Sequence, residues 1–155
     1  MKGRDPLFSS RSDEWETPDE LFSKLIGEFQ FRLDSAATEK NCKHPYYYSM
    51  ESDGLRQPWV TWTYCNPPYS RVQDFIEKAK REQTNGNYSV LLVPARTDTN
   101  WFWDAAEQAT EIRLLKGRLK FKGAYSSAPF PSAIMIFGEG STRIIKLWNY
   151  KENKS

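Results

Sequence analysis

Residues 59–93 contain, in order, a strand, a rigid corner, a helix and a second strand, and this order constrains the fold most. Residues 59–65 are rich in β-branched and aromatic side chains, which favours a strand. Residues 72–79 carry apolar side chains at helical spacing. Residues 88–93 form a continuous apolar run, typical of a strand that is buried on both faces. Strands that alternate with helices predict an α/β fold.

Capping residues predict where three helices begin. Thr17, which is followed by a proline, is predicted to be the N-cap of the first helix. Ser70 and Gln73 have the spacing of a capping box and predict the start of a second helix. Asp98 or Thr99 can cap a third helix. The second and third predicted helices lie between predicted strands, which extends the α/β pattern.

Further strands are predicted at residues 29–33, 111–115, 119–121, 131–137 and 143–148. No helical pattern separates the last four of these. We therefore expect a mostly parallel, Rossmann-like sheet that is flanked by helices and ends in an antiparallel C-terminal hairpin. The chain shows no internal repeat and no low-complexity segment.

The length of 155 residues is enough for one domain with a substantial core. We expect residues 15–150 to form that compact domain and the polar residues 1–14 to form a flexible tail. No apolar run approaches the roughly 20 residues that a membrane-spanning helix needs. The N-terminus also lacks the apolar segment of a secretory signal. These features predict a cytoplasmic protein with no membrane partner, and they leave the oligomeric state open.

Two cysteines and one histidine are the potential soft metal ligands. Cys42, His44 and Cys65 could in principle hold a metal, but their spacing matches no standard zinc site. Two cysteines do not make a disulfide framework either, and reduced thiols are the simpler interpretation. We therefore predict no metal.

The distribution of charge is more informative than the net charge of +2. Residues 112–137 contain no acidic side chain, and five of them are basic: Arg113, Lys116, Arg118, Lys120 and Lys122. Such a local basic segment fits a polyanionic partner. The alternative is a solvated strand edge, on which lysines prevent aggregation. Charge alone does not decide between the two.

The corner between the first strand and helix has the sequence Asn66-Pro67-Pro68-Tyr69. Ligands of open α/β sheets bind beyond the carboxyl ends of the strands, where this corner is predicted to lie. The prolines stiffen the backbone. The carbonyl of Pro67 and the side-chain oxygen of Asn66 are acceptors, and Tyr69 offers an aromatic face. Two acceptors and one aromatic face match an exocyclic amine on a flat ring.

Such an amine is a poor nucleophile because its lone pair is delocalised into the ring. Hydrogen bonds from both amine protons to fixed acceptors would stabilise the positive charge that develops during attack. The remaining requirement is an electrophile held in line with the nitrogen. The corner therefore indicates group transfer to an aromatic amine.

Six short motifs follow one another along the chain. They are Trp15-x-Thr17-Pro18, Phe31-x-Leu33-Asp34-x-Ala36-Ala37, Asn66-Pro67-Pro68-Tyr69, residues 92–102, Gly117-Arg118-Leu119-Lys120-Phe121 and Pro129-x-Pro131-Ser132-Ala133. In this order they resemble the phage-type DNA N-6-adenine methyltransferases, a compact Dam-related family that uses S-adenosyl-L-methionine. The resemblance covers about residues 15–137. It implies a Rossmann-like methyltransferase fold and transfer of a methyl group to adenine N6 in double-stranded DNA.

The resemblance also implies a role for each matching residue, and no metal. The residues that would form the catalytic corner around the target adenine are Asn66, Pro67, Pro68 and Tyr69. The residues that would bind S-adenosyl-L-methionine are Thr17, Pro18, Asp34, Ala36 and Ala37. Asp53 is added as a hypothesis; it belongs to residues 38–58, which show no regular pattern and which we call the irregular segment. The residues that would bind the substrate or DNA are Arg96, Asp98, Arg118 and Lys120.

The chain departs from larger relatives at one point. They carry a glycine-rich Phe-x-Gly-x-Gly cofactor loop, where this chain has Asp34-Ser35-Ala36-Ala37. Transfer to cytosine N4, to an adenine in RNA or to a protein glutamine fits the same corner, and a non-catalytic DNA-binding module is a further alternative. The chain has no room for a separate recognition domain, so base reading would fall to residues 113–127 or 38–58.

Overall fold

The computed structural model describes residues 15–140 and 143–152. The predicted tail, residues 1–14, lies outside these described residues. The helices are α1 (Asp19–Ile26), α2 (Val72–Thr84) and α3 (Asn100–Gln108), and the single turn Tyr69–Arg71 is a 3-10 helix. The strands are β1 (Leu33–Asp34), β2 (Thr63–Cys65), β3 (Ser89–Pro94), β4 (Glu111–Leu115), β5 (Ser132–Phe137) and β6 (Ile144–Trp148).

The six strands form one sheet in the order β1-β2-β3-β5-β4-β6. The strands β1, β2 and β3 are parallel, and β4 is parallel to β6. Strand β5 lies between β3 and β4 and is antiparallel to both. The prediction of a mixed α/β chain with a mostly parallel sheet is confirmed.

Two details of the predicted sheet are wrong. The predicted antiparallel pairing near the end of the chain occurs between β4 and β5, but the last strand, β6, does not take part in it and pairs in parallel with β4. Residues 119–121 are not a strand either. They belong to the connection between β4 and β5, residues 116–131, which we call the basic connection. Leu119, Phe121 and Phe130 of this connection are buried against one face of the sheet.

The predicted helix caps have mixed outcomes. The hydroxyl of Thr99 accepts a hydrogen bond from the amide of Phe102, so the predicted cap of α3 is confirmed. Thr17 is not a cap: its buried hydroxyl bonds the Tyr64 hydroxyl at 2.6 Å. The capping box at Ser70 is also wrong, because a 3-10 turn precedes α2 and no side chain caps that helix.

Alternate residues of β3 face opposite sides of the sheet, as strand geometry requires. Leu91 and Val93 pack with helices α2 and α3 on one face. Val90 and Leu92 pack with α1 and the basic connection on the other. Apolar side chains cover both faces of the sheet and hold the central strands rigidly. The polar residues that follow these strands therefore start from fixed positions. Within residues 15–140 and 143–152 the helices are too short or too polar to cross a membrane.

Candidate active site

A cavity of about 340 Å³ lies at the carboxyl ends of β1 and β2. Three segments that are distant in sequence surround it. They are residues 15–17, which we call the N-terminal strap; residues 34–55, which include most of the irregular segment; and residues 66–71, which include the proline corner. Parallel strands end at the same edge of a sheet, so the cavity lies where an open α/β sheet binds its ligands.

Asp34 ends β1 and shapes one wall of this cavity. Its side chain is 3% exposed. One carboxylate oxygen accepts a hydrogen bond from the amide of Ala36 at 3.3 Å, and the other accepts one from the amide of Lys43 at 2.9 Å. These bonds fold residues 36–43 back over the end of the strand. Burial nevertheless raises the pKa of this carboxyl from 3.8 to about 7.

The raised pKa of Asp34 predicts a pH dependence of stability. The folded state holds this proton more tightly than the unfolded state. Asp34 therefore adds most to the free energy of unfolding below about pH 4, and this contribution disappears as the pH rises to about 7. Urea denaturation across this window should therefore give a downward slope that is smaller in Asp34→Asn. Equal slopes in the two proteins would contradict the assignment of this proton to Asp34.

Gly54 allows the irregular segment to close against β1. A Cβ atom at this position would lie 2.0 Å from the carbonyl oxygen of Ser35, which is far too close for any side chain. The Gly54 carbonyl accepts a hydrogen bond from the buried Trp59 indole at 2.9 Å, which fixes the approach. Asp53 beside it has a left-handed backbone (φ 63°), bonds the Leu55 amide and lines the cavity. Gly54 thus lets the backbone of the irregular segment approach Ser35 closely, beside the alanine-containing loop Asp34-Ser35-Ala36-Ala37.

Asn66 follows β2 and has a fixed amide orientation. Its side-chain nitrogen donates to the Trp15 carbonyl oxygen at 2.5 Å and also lies 3.4 Å from the Thr17 hydroxyl. Among the described residues, no hydrogen bond uses its side-chain oxygen. Since the nitrogen is held by the strap, the oxygen is the atom that Asn66 can offer to a ligand donor in the cavity.

Tyr69 stands beside the cavity as part of an aromatic cluster. Its ring centroid is 5.4 Å from that of Trp15 and 4.7 Å from that of Phe130, with an edge contact to the latter. The Arg96 guanidinium lies 5.8 Å from the centre of the Phe130 ring. Trp15 lines the cavity itself. The cluster therefore connects the corner to the loop that follows β3.

Two lysines hold the strap from opposite sides. The Lys43 ammonium lies 3.0 Å from a Glu16 carboxylate oxygen, and the Lys122 ammonium lies 3.5 Å from the same oxygen. The Lys122 amide donates to the Glu16 carbonyl oxygen at 2.9 Å, in an isolated antiparallel bridge. The strap is thereby bound to the irregular segment and to the basic connection.

The basic segment is less uniform than its sequence indicates. Arg113 is 5% exposed and forms ion pairs with Glu28 and Glu111, so it serves the core and not a partner. Lys122 is paired with Glu16 and Asp19. Arg118 and Lys120 are exposed. Of these four basic residues, only Arg118 and Lys120 are both exposed and outside the ion pairs described above, so they are the better candidates for contact with a polyanion.

The structure places half of the predicted site residues in the lining of the cavity. Those that line the cavity are Thr17, Asp34, Ala36, Ala37, Asp53, Asn66 and Pro68. Those outside its described lining are Pro18, Pro67, Tyr69, Arg96, Asp98, Arg118 and Lys120. Pro67 is buried and Tyr69 is partly buried, whereas Arg96 and Asp98 are exposed in the loop after β3. These residues are therefore not part of the cavity lining.

Sequence reasoning missed three residues that shape the site: Glu16, Lys43 and Gly54. Glu16 lies between two residues of a recognised motif, so its position was a usable signal. Gly54 follows an aspartate in a turn-like pair, which indicates a special backbone but not its contact with Ser35. Lys43 had no signal, because its role depends on a fold-back that only the structure reveals.

The possible metal ligands stay apart. In the described part of the chain, no group of three His, Cys, Asp or Glu side chains could hold a metal ion. Cys42 and Cys65 are both free thiols. Cys65 is fully buried in β2, and this burial raises its pKa far above the usual range of a thiol. Cys65 is therefore a packed, unreactive core residue.

Comparison with known proteins adds to this geometry. Residues 6–149 match the family model described as DNA N-6-adenine-methyltransferase (Dam). The chain is 37% identical over 103 residues to the DNA N-6-adenine-methyltransferase of Escherichia phage T1, which covers 64% of this chain and 43% of that protein. It is 32% identical over 107 residues to the protein of the same name from Haemophilus phage HP1 (strain HP1c1), which covers 66% and 62%. The chain thus spans less than two thirds of each of these relatives, and it belongs to the DNA N-6-adenine-methyltransferase (Dam) family.

Proposed function

We propose that this chain transfers a methyl group from S-adenosyl-L-methionine to the N6 amine of adenine in double-stranded DNA. The observation that supports this most is the fixed amide of Asn66. Because its nitrogen is bound to the Trp15 carbonyl, its oxygen is left as an acceptor at the cavity. Family membership and the names of the two phage relatives agree with this chemistry.

The lining of the cavity fits S-adenosyl-L-methionine. A volume of about 340 Å³ is within the range of small-ligand sites. The carboxylates of Glu16 and Asp53 can accept hydrogen bonds from ammonium or hydroxyl groups. The aromatic rings of Trp15 and Phe75 offer apolar contact. The residues that we propose to hold the cofactor are Thr17, Asp34, Ala36, Ala37 and Asp53, with Pro18 supporting the strap from outside the cavity.

When bound, S-adenosyl-L-methionine supplies an electrophilic methyl group on a positively charged sulfur. The chain's part is to hold the nucleophile. The side-chain oxygen of Asn66 and the Pro67 carbonyl would accept hydrogen bonds from the two protons of the adenine amine and stabilise its developing positive charge. Pro68 shapes the corner, and Tyr69 would stack on the adenine ring. The ring contacts of Tyr69 with Trp15 and Phe130 support this proposed role.

An adenine can reach this corner only outside the base stack, so we propose that it is flipped out of the duplex. Arg118 and Lys120 would bind phosphates, with Arg96 and Asp98 at the edge of the cleft. Binding should therefore weaken strongly as salt concentration rises. The proposal includes a Rossmann-like methyltransferase fold across residues 15–150 and action on DNA in the cytoplasm of a phage-infected cell.

The test is transfer of labelled methyl from S-adenosyl-L-methionine to unmethylated duplex DNA, followed by mass analysis of the nucleosides. N6-methyladenine is the expected product, and its sequence context can then be mapped. Label on cytosine would retain the amine chemistry and change the base. DNA binding with no label on DNA, RNA or protein would contradict the proposal and favour a non-catalytic DNA-binding module.

A further inference from the structure

Glu16 is the point at which two parts of the site meet. Its carboxylate lines the cavity and is 3.0 Å from the Lys43 ammonium. Lys43 also lines the cavity, and its amide holds the Asp34 carboxylate at 2.9 Å. The side chain of Lys43 is 10% exposed, so solvent screens this ion pair little. Glu16 is therefore part of the wall that a cofactor would contact.

The other partner of Glu16 comes from the basic connection. Lys122 lies 3.5 Å from Glu16 and 3.3 Å from Asp19, and half of its side chain (51%) is exposed. These carboxylates raise the pKa of Lys122, with Asp19 as the largest cause, so the ammonium stays charged at neutral pH. Lys122 is thus a half-exposed cation that partly neutralises the Glu16 carboxylate in the cavity wall. It lies two residues from Lys120, a proposed phosphate contact.

We propose that Glu16 is a cofactor-binding residue whose negative charge strengthens the binding of S-adenosyl-L-methionine when DNA is bound. This inference rests on the proposed function. A DNA phosphate that pairs with Lys122 would draw its ammonium away from Glu16. Glu16 would then keep Lys43 as its nearby cation and present more negative charge to the cavity. S-adenosyl-L-methionine has a net positive charge at neutral pH, so its binding would become more favourable.

The experiment measures the Kd of S-adenosyl-L-methionine by calorimetry, with and without a saturating duplex made only of G·C pairs, so that no adenine can react. We expect the duplex to tighten cofactor binding about fivefold, at the lower end of typical couplings. The gain should shrink as salt is added. Reciprocity requires the cofactor to tighten DNA binding by the same factor. S-adenosylhomocysteine, which lacks the sulfonium charge, should show a smaller gain.

Lys122→Met is the most informative variant, because it removes the ammonium from Glu16, as a bound DNA phosphate is proposed to do. Cofactor affinity without DNA should rise to the value that the wild-type protein reaches with DNA, and added DNA should change it no further. If Lys122 merely supported the strap structurally, its loss would instead weaken cofactor binding. Glu16→Gln should weaken cofactor binding and abolish the dependence on DNA.

Lys120→Met is the matched control. It removes one positive charge from the same connection, and Lys120 makes no ion pair with Glu16 in the described structure. DNA binding should weaken, while saturating DNA should still tighten cofactor binding as in the wild-type protein. Cofactor binding that ignores DNA in the wild-type protein, or a full coupling in Lys122→Met, would overturn this inference alone. Absence of cofactor binding to the wild-type protein would overturn the proposed function with it.

Discussion

Replacing Asn66 by alanine is expected to lower the rate of methyl transfer by about 10²–10³-fold, the loss that follows removal of one fixed polar group from a site of developing charge. The variant lacks the acceptor that we assign to the adenine amine. Cofactor affinity should fall far less, because the Asp34 wall and the irregular segment remain intact and Lys43 and Lys122 still hold the strap. Single-turnover rates and a separate measurement of cofactor Kd distinguish the two effects.

Two further variants sharpen this result. Asn66→Asp keeps an oxygen but, like Asn66→Ala, cannot donate to the Trp15 carbonyl, so it should lose transfer rate and this one anchor of the strap. Asn85→Ala is the control, since Asn85 is exposed at the end of α2, away from the cavity lining. Its transfer rate should equal that of the wild-type protein. Near-normal transfer by Asn66→Ala would exclude the proposed role of the amide.

Replacing Gly54 by alanine is expected to cost about 3 kcal/mol of stability, the upper part of the usual range for overpacking. The new methyl group would meet backbone atoms of Ser35 at 2.0 and 3.2 Å, and a backbone cannot turn aside as a flexible side chain can. Residues 53–55 would have to move outward and open the wall of the cavity. Urea denaturation should show the lost stability, and cofactor binding should be lost even where the protein is still folded.

Gly27→Ala provides the comparison for Gly54→Ala. Gly27 has a helical backbone (φ −64°), and a Cβ there would make an ordinary contact of 3.4 Å. This change should leave stability unaltered or raise it slightly, because alanine restricts the unfolded chain. If the two variants unfolded at the same urea concentration, the close approach of Gly54 to Ser35 would not matter.

The sequence predicted much of the fold because its periodic patterns are local. The apolar run at 88–93 and the cap at Thr99 depend on neighbouring residues, and both have the predicted structure. The place of β5 depends on pairing with strands that lie far away in sequence, which no local pattern encodes. Residues 119–121 have the alternation of a strand, but their apolar side chains cover the sheet face without joining the sheet.

The candidate site divides in the same way. A rigid corner after a strand was visible in Asn66-Pro67-Pro68-Tyr69, and the resemblance added Asp34 and Thr17. The fixed orientation of the Asn66 amide was not visible, because it depends on a carbonyl 51 residues earlier in the chain. The same holds for Lys43, Glu16 and Lys122, whose contacts join three separate segments. A local stretch of sequence can thus indicate which residue types form a site, but it does not show which distant residues they contact.

The central place of β5 has a consequence for how the chain is made. Residues 132–137 leave the ribosome after β3 and β4, yet they must enter between those two strands before either has its full set of backbone partners. A nascent or truncated chain that stops short of residue 132 therefore leaves one edge of β3 and both edges of β4 without partners, and such unpaired edges favour aggregation. Productive folding must wait for the last quarter of the chain. An insertion between β4 and β5, which delays the synthesis of β5, should thus lower the yield of folded protein more than a fusion at the N-terminus.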